Sequence, residues 1–380
     1  MKKHSTIFRF ILVWGLVTAF AFAGHQDKKS QSFTVDKGGV LDVSAETGSI
    51  EVEVWDKNEV FVEAEYLDDE ESEGLSMSQS GNTVRVQYRS YDHSSDVHFR
   101  ISVPSQFNLE LETSGGNISI RGKLTGKVNG HTSGGDIRIE YVNGDVEMET
   151  SGGDISVKDI MGDLRLETSG GDIETGWVNG EASLQTAGGS IRVNGVGKNL
   201  KVSTAGGNIT FGEIRGTAEV STAGGSIKGK KSGNRITMKT AGGNIELSEG
   251  WSSTVAKTAG GDIVMSNING SIEAKTAGGD VEIELFPDAT GHSTLSTAGG
   301  KVVLTIPETA KATINAKIRI EGRWKSRMNE YSIRSDFKAI SDEKDEDKRE
   351  IRASYILNGG GQQIDLKTVN SDIEIRRVKK

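Results

Sequence analysis

Short segments of alternating apolar and polar residues run along most of the chain. Asp154–Gly162 and Asp163–Gly171 each begin with a polar residue, carry apolar residues at the second and fourth places, and end in glycine. Alternation with a period of two is typical of a short β-strand that buries one face. The pattern therefore predicts pairs of short strands that are joined by turns containing glycine.

The motif Thr-(Ser/Ala)-Gly-Gly marks every second segment and sets the length of the repeat. Its copies begin at Thr113, Thr132, Thr150, Thr168, Thr186, Thr204, Thr222, Thr240, Thr258, Thr276 and Thr297. They lie 18 residues apart in eight consecutive steps, after a first step of 19 and before a last step of 21. Equal spacing of this kind indicates a repeat architecture. Each unit, here called a coil, is predicted to contain two strands and two turns.

A single coil is too small to fold alone. Its few inward apolar side chains contribute less free energy on burial than the ordering of its residues costs. Hydrogen bonds and packing between neighbouring coils must supply the difference. The predicted fold class is therefore all-β: a single-chain parallel β-solenoid (β-helix) with 18-residue two-strand coils. Less regular β segments are expected to cap it at both ends.

The chain divides into four predicted segments. Residues 1–23 have the pattern of a signal peptide, because basic residues precede the apolar run Phe10–Phe20 and Ala21-Phe22-Ala23 fits a cleavage site. An uncleaved anchor is the alternative. Residues 24–110 are expected to start and cap the solenoid, and residues 111–308 to form its regular coils. Residues 309–380 are expected to hold longer strands, a charged solvated loop at 341–350 and a closing coil at 368–375.

The repeated residues are expected to have structural roles at the corners of the coils. Alternation places each motif threonine inward, as one member of an internal ladder whose hydroxyls bond turn backbone. The alternative is an outward threonine row, as in ice-binding solenoids. Glycine pairs permit a positive φ, and the aspartate that follows can cap the backbone just beyond it. The predicted structural positions are Thr150, Gly152, Gly153, Asp154, Thr168, Gly170, Gly171, Asp172, Thr186, Gly188, Gly189, Thr204, Gly206 and Gly207.

Composition narrows the function classes. The chain has no cysteine, 49 glycines and only 3 prolines, so disulfides and thiolate metal sites are excluded and collagen is not indicated. Its net charge of −9 becomes more negative when the basic leader is removed. A nucleic-acid partner, which needs a basic stripe, is therefore not expected. No later segment is apolar enough to cross a bilayer.

Three sequence elements carry a resemblance to a known family. They are Thr168–Ile173 with its copies, the pair Val103-Pro104 before the repeats, and Leu357–Gly361 followed by Thr368–Ile375. With them, residues 33–380 resemble the putative-adhesin family of exported bacterial β-solenoid proteins, a domain of unknown function. One departure is Ser371, where glycine is usual. The resemblance implies the fold and interaction or adhesion in the envelope, and it provides no catalytic motif.

Two metal hypotheses follow from the polar residues. Nine-residue glycine-aspartate repeats are similar to calcium β-rolls, but aspartate here follows Gly-Gly directly and the second glycine pair is missing. Turn capping is therefore the preferred role of these aspartates. Asp92, His93, Asp96 and His98 carry zinc-type ligand atoms, although His98 alternates outward on a predicted strand. The sequence therefore predicts no metal and no other cofactor.

An enzyme is the remaining alternative, since some β-helices cleave polysaccharides with clustered carboxylates. Outward Glu147, Glu174 and Glu246 are interleaved with basic residues instead, and these are Arg138, Arg165, Arg192 and Lys228. Such mixing is typical of a solvated face. The tryptophans do not form a row for stacking sugars, because Trp177 and Trp251 occupy predicted turns and Trp55 and Trp324 lie far from both.

The sequence therefore predicts a non-enzymatic, exported envelope or surface protein that uses a repetitive solenoid for interaction or adhesion. Its compartment is the periplasm, the outer envelope or the cell surface. An envelope protein, a glycan or another copy of the chain are the partners that remain open. A carbohydrate-active β-helix enzyme and a calcium-dependent β-roll are the alternatives.

Overall fold

The structure is a computed structural model that describes residues 28–67, 73–90, 97–288, 290–322 and 328–378. In these residues the chain forms 33 β-strands, and most neighbouring strands run parallel. Each strand of the regular region pairs with the strand one coil further along. The predicted all-β parallel β-solenoid is therefore confirmed. The predicted signal peptide, residues 1–23, lies outside the described residues.

Two ladders of strands form the walls of the solenoid. Sheet 1 is built around the strands that follow each Gly-Gly pair. In spatial order it contains β1 (Lys28–Thr34), β4 (Glu59–Glu65), β7 (His98–Pro104), β3 (Ser49–Trp55), β9 (Ile118–Thr125), β11 (Ile137–Asn143), β13 (Ile155–Ile160), β15 (Ile173–Val178), β17 (Ile191–Val196), β19 (Ile209–Ile214), β21 (Ile227–Ser232), β23 (Ile245–Lys257), β24 (Ile263–Lys275), β25 (Val281–Phe286), β27 (Val302–Ile306), β33 (Ile373–Arg377) and β29 (Ile333–Ser335).

Sheet 2 is built around the strands that lead into each motif threonine. In spatial order it contains β5 (Leu75–Ser80), β6 (Thr83–Tyr88), β2 (Gly39–Ala45), β8 (Phe107–Thr113), β10 (Val128–Thr132), β12 (Val146–Thr150), β14 (Leu164–Thr168), β16 (Ala182–Gln185), β18 (Leu200–Thr204), β20 (Ala218–Thr222), β22 (Ile236–Lys239), the second halves of β23 and β24, β26 (His292–Ser296), β32 (Gln362–Val369), β28 (Ala312–Arg319), β31 (Glu350–Leu357) and β30 (Ser341–Asp345). Because β23 and β24 continue through a corner, they belong to both sheets.

Neighbouring coils lie in register with a period of 18 residues. Ile155 pairs with Ile173, and Ile173 pairs with Ile191 in the next coil. These isoleucines are fully buried, so each packs against its counterparts about 4.8 Å above and below. Local gaps in the pattern make room for large side chains. Gly229 has no side chain where Phe211 of the preceding coil extends its ring, since a Cβ there would lie 2.1 Å from the ring.

The N-terminal coils are not stacked in chain order. The layer formed by β2 and β3 lies between the β8–β9 layer and the β6–β7 layer, although β6 and β7 come later in the chain than β2 and β3. Antiparallel strands then extend both sheets outward: β4 and β1 continue sheet 1, and β5 continues sheet 2. The first coil of the chain is thereby enclosed on both sides.

The C-terminal coils are stacked in the same manner. The sequence predicts that 368–375 closes the solenoid, and this is wrong. The layer of β32 and β33 lies inside, between β26–β27 and the outer strands β28 and β29. Gln362 at the start of β32 is fully buried, and its Nε2 donates to Ser293 Oγ at 2.7 Å and to the Gly270 carbonyl at 3.1 Å. The last coil is thus tied to its inner neighbours.

The charged segment that was expected to be a loop is partly an edge strand. Ser341–Asp345 forms β30, which pairs antiparallel with β31 at the outer edge of sheet 2. An unpaired edge of β31 would be open to other chains. β30 covers that edge with the sequence Ser-Asp-Glu-Lys-Asp, whose charges disfavour further strand addition.

Candidate functional site

The motif threonines lie at the corner that joins sheet 2 to sheet 1, and their side chains point inward. Thr168 is 2% exposed, its Oγ1 donates to the Gly153 carbonyl of the preceding coil at 3.0 Å, and it accepts from the Gly171 N–H at 3.3 Å. Each hydroxyl therefore bridges two coils. The same pair of bonds is made by Thr150, Thr186 and Thr204.

The two glycines of each motif have different roles. Gly152, Gly170, Gly188 and Gly206 are exposed first glycines, and a Cβ on Gly170 would lie 3.3 Å from the nearest atom. A Cβ on the second glycine, Gly171, would lie 2.0 Å from the Gly153 carbonyl oxygen. Gly153, Gly189 and Gly207 meet the same obstacle at 2.0–2.1 Å.

The expectation of a positive φ at these glycine pairs is wrong. In the described residues, the glycines with positive φ lie outside the Thr-(Ser/Ala)-Gly-Gly copies. Contact between coils, which leaves no space for a side chain, therefore requires glycine at the second place.

The polar residue after Gly-Gly bonds to a neighbouring coil. Asp154 Oδ1 accepts from the Asp172 N–H at 2.8 Å, and Asp172 Oδ1 accepts from the Ser190 N–H at 2.7 Å. The sequence predicts a bond to the backbone just beyond, and the actual acceptor–donor spacing is 18 residues. An asparagine or serine oxygen can make the same bond, as Asn208 Oδ1 does to Ser226 N–H at 2.8 Å. These corner residues therefore hold the stack together and project little chemistry outward.

A groove lies on the outer face of sheet 2. It has a volume of about 1010 Å³ and extends over the coils between Lys127 and Lys239. One wall is a row of turn residues that includes Asp145, Asp163 and Arg235, and the other is a row of strand residues that includes Arg165. Because both rows follow the coil register, the groove runs along the solenoid axis.

A second outward row lies beside this groove, formed by the residue that precedes each motif threonine. We call it the pre-threonine row. Strand pairing places its members next to one another in the order Glu112, His131, Glu149, Glu167, Gln185, Ser203, Ser221, Lys239, Lys257, Lys275, Ser296 and Lys367. The row is therefore acidic at one end, neutral in the middle and basic at the other end. The dipeptides Glu-Thr and Lys-Thr show this polarity in the sequence. It is missed when the outward charged residues are interpreted only as a mixed, solvated face.

The outer face of sheet 1 has a different charge pattern. Opposite charges there occur one coil apart and pair across the strands, as in Lys158–Glu140 at 3.1 Å and Lys228–Glu246 at 2.7 Å. The pKa of the Glu140 carboxyl lies below its usual value because the Gly122 N–H donates to it and Lys158 lies beside it. Sheet 1 thus neutralises much of its charge locally.

The outward carboxylates Glu147, Glu174 and Glu246, which the sequence assigns to a mixed solvated face, do not converge. Glu147 lies on sheet 2 and pairs with Arg165 at 3.2 Å. Glu174 and Glu246 lie on sheet 1, where they pair with Arg192 at 3.9 Å and Lys228 at 2.7 Å. Glu273 on sheet 2 is also held ionised, because Lys275 and Lys257 lower the pKa of its carboxyl. A general acid needs the opposite shift.

The candidate zinc ligands are only partly described. His98 lies on β7, where its Nε2 is 3.2 Å from Glu51 Oε2, and Asp92, His93 and Asp96 lie outside the described residues. Across the described ranges, no cluster of three or more His, Asp or Glu side chains has a geometry that could hold a metal ion.

The three described tryptophans, Trp55, Trp177 and Trp251, lie on strands, so the predicted turn positions of Trp177 and Trp251 are wrong. The Trp177 ring covers Gly195 and lies under the Arg215 guanidinium at 4.8 Å. Trp251 is 45% exposed, and its Nε1 donates to Glu249 at 2.7 Å. Trp55 Nε1 donates to the Glu59 carbonyl at 2.7 Å, while Trp324 lies outside the described residues.

Within the described ranges, no helix has the length and apolarity that crossing a membrane requires. No curated protein matches the chain. Among solved structures, it is similar to a putative adhesin from Parabacteroides distasonis, with 13% identity over 68% of this chain and 98% of that chain and a TM-score of 0.34. It is also similar to a putative adhesin from Bacteroides fragilis, with 14% identity over 73% and 96% and a TM-score of 0.25.

A third similar structure is a putative lipid binding protein from Parabacteroides distasonis, with 12% identity over 73% of this chain and 93% of that chain and a TM-score of 0.24. A family model matches the chain twice, over residues 40–249 and residues 184–376, and its description is Toastrack DUF4097. These matches span nearly all of the solenoid and confirm the resemblance found from the repeat motifs. The chain belongs to the Toastrack DUF4097 family of β-solenoid proteins.

Proposed function

We propose that this chain is an exported, non-enzymatic interaction protein of the bacterial envelope, and that it binds its partners along the outer face of sheet 2. The observation that supports this proposal most directly is the groove of about 1010 Å³ on that face. Its walls are rows of side chains on consecutive paired strands, which hold the rows at a fixed spacing. A rigid, repetitive groove suits an elongated partner that makes similar contacts at each coil.

The chemistry of the groove supports binding over catalysis. Asp145 and Asp163 line it towards one end and Arg235 and Lys239 towards the other, and charges of the opposite sign lie among them, at Lys127, Arg165 and Glu219. Asp145 and Asp163 also accept backbone N–H groups of the next coil, at 3.0 and 2.8 Å. Carboxylates engaged in this way serve recognition and stability better than proton transfer, which requires a group poised to change its charge.

Export is the part of the proposal that depends on the sequence of residues 1–23. A basic start, an apolar run and a small-residue cleavage site have the order of a secretory signal. Export also agrees with the use of backbone and threonine ladders for stability, since these need no reducing or oxidising environment. Cell fractionation with and without residues 1–23 tests this part, because loss of the leader should retain the protein in the cytoplasm.

A steric block of the groove tests the binding surface. Ser183 lines the groove at its middle, and Ser183→Trp should fill it. Thr210→Trp adds the same ring to the outer face of sheet 1 and serves as the matched control, because Thr210 pairs in register with Arg192 there. Both variants are compared with the parent protein for binding to purified envelope glycans and to solubilised envelope proteins, using immobilised chain and an optical biosensor.

We expect Ser183→Trp to weaken binding by roughly tenfold or more, which corresponds to about 1.4 kcal/mol, and Thr210→Trp to leave it unchanged. Equal binding by both variants would show that the groove is not the recognition surface. Absence of binding to every envelope fraction, together with absence of self-association, would contradict the proposed function itself.

A further inference from the structure

The pre-threonine row on the outer face of sheet 2 is acidic at one end and basic at the other, so its charges are complementary to those of the same row turned end for end. We infer that the partner of this face is a second copy of this chain, docked face to face with the two solenoid axes antiparallel. This inference rests on the proposed function, since it names the partner of the same face. The charges of the pre-threonine row carry the argument.

The two charged ends of the row are too far apart to neutralise each other within one chain. Four coil steps separate Glu167 from Lys239, which corresponds to about 19 Å at the usual strand spacing. The Debye length is only about 8–10 Å at physiological ionic strength. Each end of the pre-threonine row therefore presents its own sign of charge, which is reduced by local ion pairs such as Arg165–Glu167 at 3.6 Å and Lys257–Glu273 at 3.0 Å.

Consider a twofold axis that passes beside Ser203 and runs parallel to the strands. It places each residue of the row in one copy opposite the residue of the second copy that lies equally far from Ser203 on the other side. Glu167 and Lys239 each lie two coils from Ser203, on opposite sides, so they face each other across the axis. Glu149 and Lys257, three coils from the axis, also face each other. Symmetry makes each contact twice. A parallel arrangement in register would instead place Glu opposite Glu and Lys opposite Lys.

The middle of the pre-threonine row permits close approach, and the one charge beside it at the axis is Lys201, on the same strand as Ser203. Gln185, Ser203 and Ser221 separate the two charged ends of the row, and they carry no charge. From Glu112 to Lys275 the face spans ten strands, which gives an area of about 45 by 17 Å, or roughly 800 Å² per copy. That area equals what each partner contributes to an ordinary specific protein complex.

Other modes of self-association bring fewer opposite charges together. A staggered array would leave half of the face unmatched at each end, whereas a closed pair matches both halves of each copy. End-to-end stacking is opposed by the charged edge strand β30. Lateral pairing through sheet 1 lacks a comparable polarity, because opposite charges alternate there from coil to coil, as in Arg192–Glu174 at 3.9 Å and Lys228–Glu246 at 2.7 Å.

Two double variants test the inference. Glu149→Lys with Glu167→Lys makes the acidic end of the pre-threonine row largely basic, and Lys239→Glu with Lys257→Glu makes its basic end largely acidic. The control is Arg138→Glu with Arg192→Glu, which reverses two charges on sheet 1. Sedimentation velocity of the full mature chain gives the mass of each protein at low and high salt, and circular dichroism checks the β fold.

We expect the parent protein and the sheet 1 control to form dimers at low salt and to dissociate at least tenfold more readily at high salt. Each sheet 2 variant alone should be monomeric, because like charges then meet. An equimolar mixture of the two sheet 2 variants should restore a 1:1 dimer, which also shows that both are folded.

A monomeric parent protein at low salt, or a mixture that stays monomeric, would overturn the inference. Higher oligomers of increasing size would overturn the closed antiparallel pair in favour of a staggered array. If the chain is monomeric but still binds an envelope fraction through the groove, the proposed function stands and only the identity of the partner is wrong.

Discussion

Replacing Gly171 with alanine tests whether contact between coils is what requires glycine at the second place of the motif. A Cβ on Gly171 would lie 2.0 Å from the Gly153 oxygen and 2.4 Å from the Gly153 carbonyl carbon. Both obstacles are backbone atoms, which cannot rotate away as a side chain can. The two coils must therefore separate locally by more than an ångström, or the corner must distort.

The cost of that separation has two parts. Overpacking of a closely packed region costs about 1–3 kcal/mol. The corner bonds between the same coils then stretch, including Ser169 N–H to the Ser151 carbonyl at 3.3 Å and Thr168 Oγ1 to the Gly153 carbonyl at 3.0 Å. Each such bond is worth about 0.5–1.5 kcal/mol. We therefore expect Gly171→Ala to lower the free energy of unfolding by about 3–5 kcal/mol.

Gly170→Ala is the matched control, because it adds the same atom one residue earlier. Its Cβ would lie 3.3 Å from the Gly152 oxygen, so a shift of a few tenths of an ångström is enough. Alanine also restricts the unfolded chain, which offsets part of that strain. We expect the free energy of unfolding to change by less than about 1 kcal/mol.

Urea denaturation followed by circular dichroism measures both variants. Because a solenoid transmits stability mainly between neighbours, amide hydrogen exchange of peptides covering residues 150–190 shows where the loss occurs. Protection should fall around the Gly171 corner and remain in distant coils. An unchanged free energy of unfolding for Gly171→Ala would refute the steric explanation. A loss of equal size in Gly171→Ala and Gly170→Ala would also refute it.

Thr168, Asp172, Glu273 and strand β33 can each be tested by one change to the chain. Thr168→Val should cost about 1–3 kcal/mol in urea denaturation, because it leaves the Gly153 carbonyl and the Gly171 N–H buried without their hydroxyl partner; an unchanged midpoint would contradict the bridging role. Asp172→Ala should cost about 1 kcal/mol by removing the acceptor of the Ser190 N–H, whereas Asp172→Asn keeps an Oδ1 acceptor and should unfold at nearly the parent temperature. The lowered pKa of Glu273 means that the unfolded state binds its proton more readily, so its contribution to stability is present above the ordinary value of 4.5 and lost as the pH falls through the lower folded value; thermal unfolding at a series of pH values should show a shallower acid loss for Glu273→Gln, and parallel curves would argue against it. Ending the chain after Asn370 removes β33 from the interior of sheet 1 and should lower the unfolding temperature strongly, whereas ending it after Val378 should not, as differential scanning calorimetry can check.

The regular coils could be predicted from the sequence because their information is local. Alternation around Ile155 and Leu164 identifies the inward face, and the 18-residue spacing identifies the partner of each strand. The inward side of Thr168 follows from the same alternation. The function of the second glycine could not be predicted, because the obstacle is a carbonyl of another coil and leaves no trace in the residues beside Gly171.

The order of the terminal layers was also beyond local reasoning. Thr368–Ile375 has the motif of a coil, and nothing in those residues tells that β28 and β29 cover them from outside. That arrangement depends on pairing over tens of residues. The charge polarity of sheet 2 is a different case, since Glu167 and Lys239 are plain in the sequence. It becomes visible only when equivalent residues of successive coils are compared along the solenoid axis.

The enclosed first and last coils have a consequence for how such a protein can change its length. The first and last coils along the chain, β2–β3 and β32–β33, both have strands stacked outside them, so a further coil added next to either would meet strands that already occupy that place. A coil inserted among the near-identical central ones would instead find the same Gly-Gly corner and the same threonine bridge above and below it. Lineages of this fold should therefore gain and lose 18-residue units by duplication or deletion within the middle of the gene, while the two lids are inherited intact.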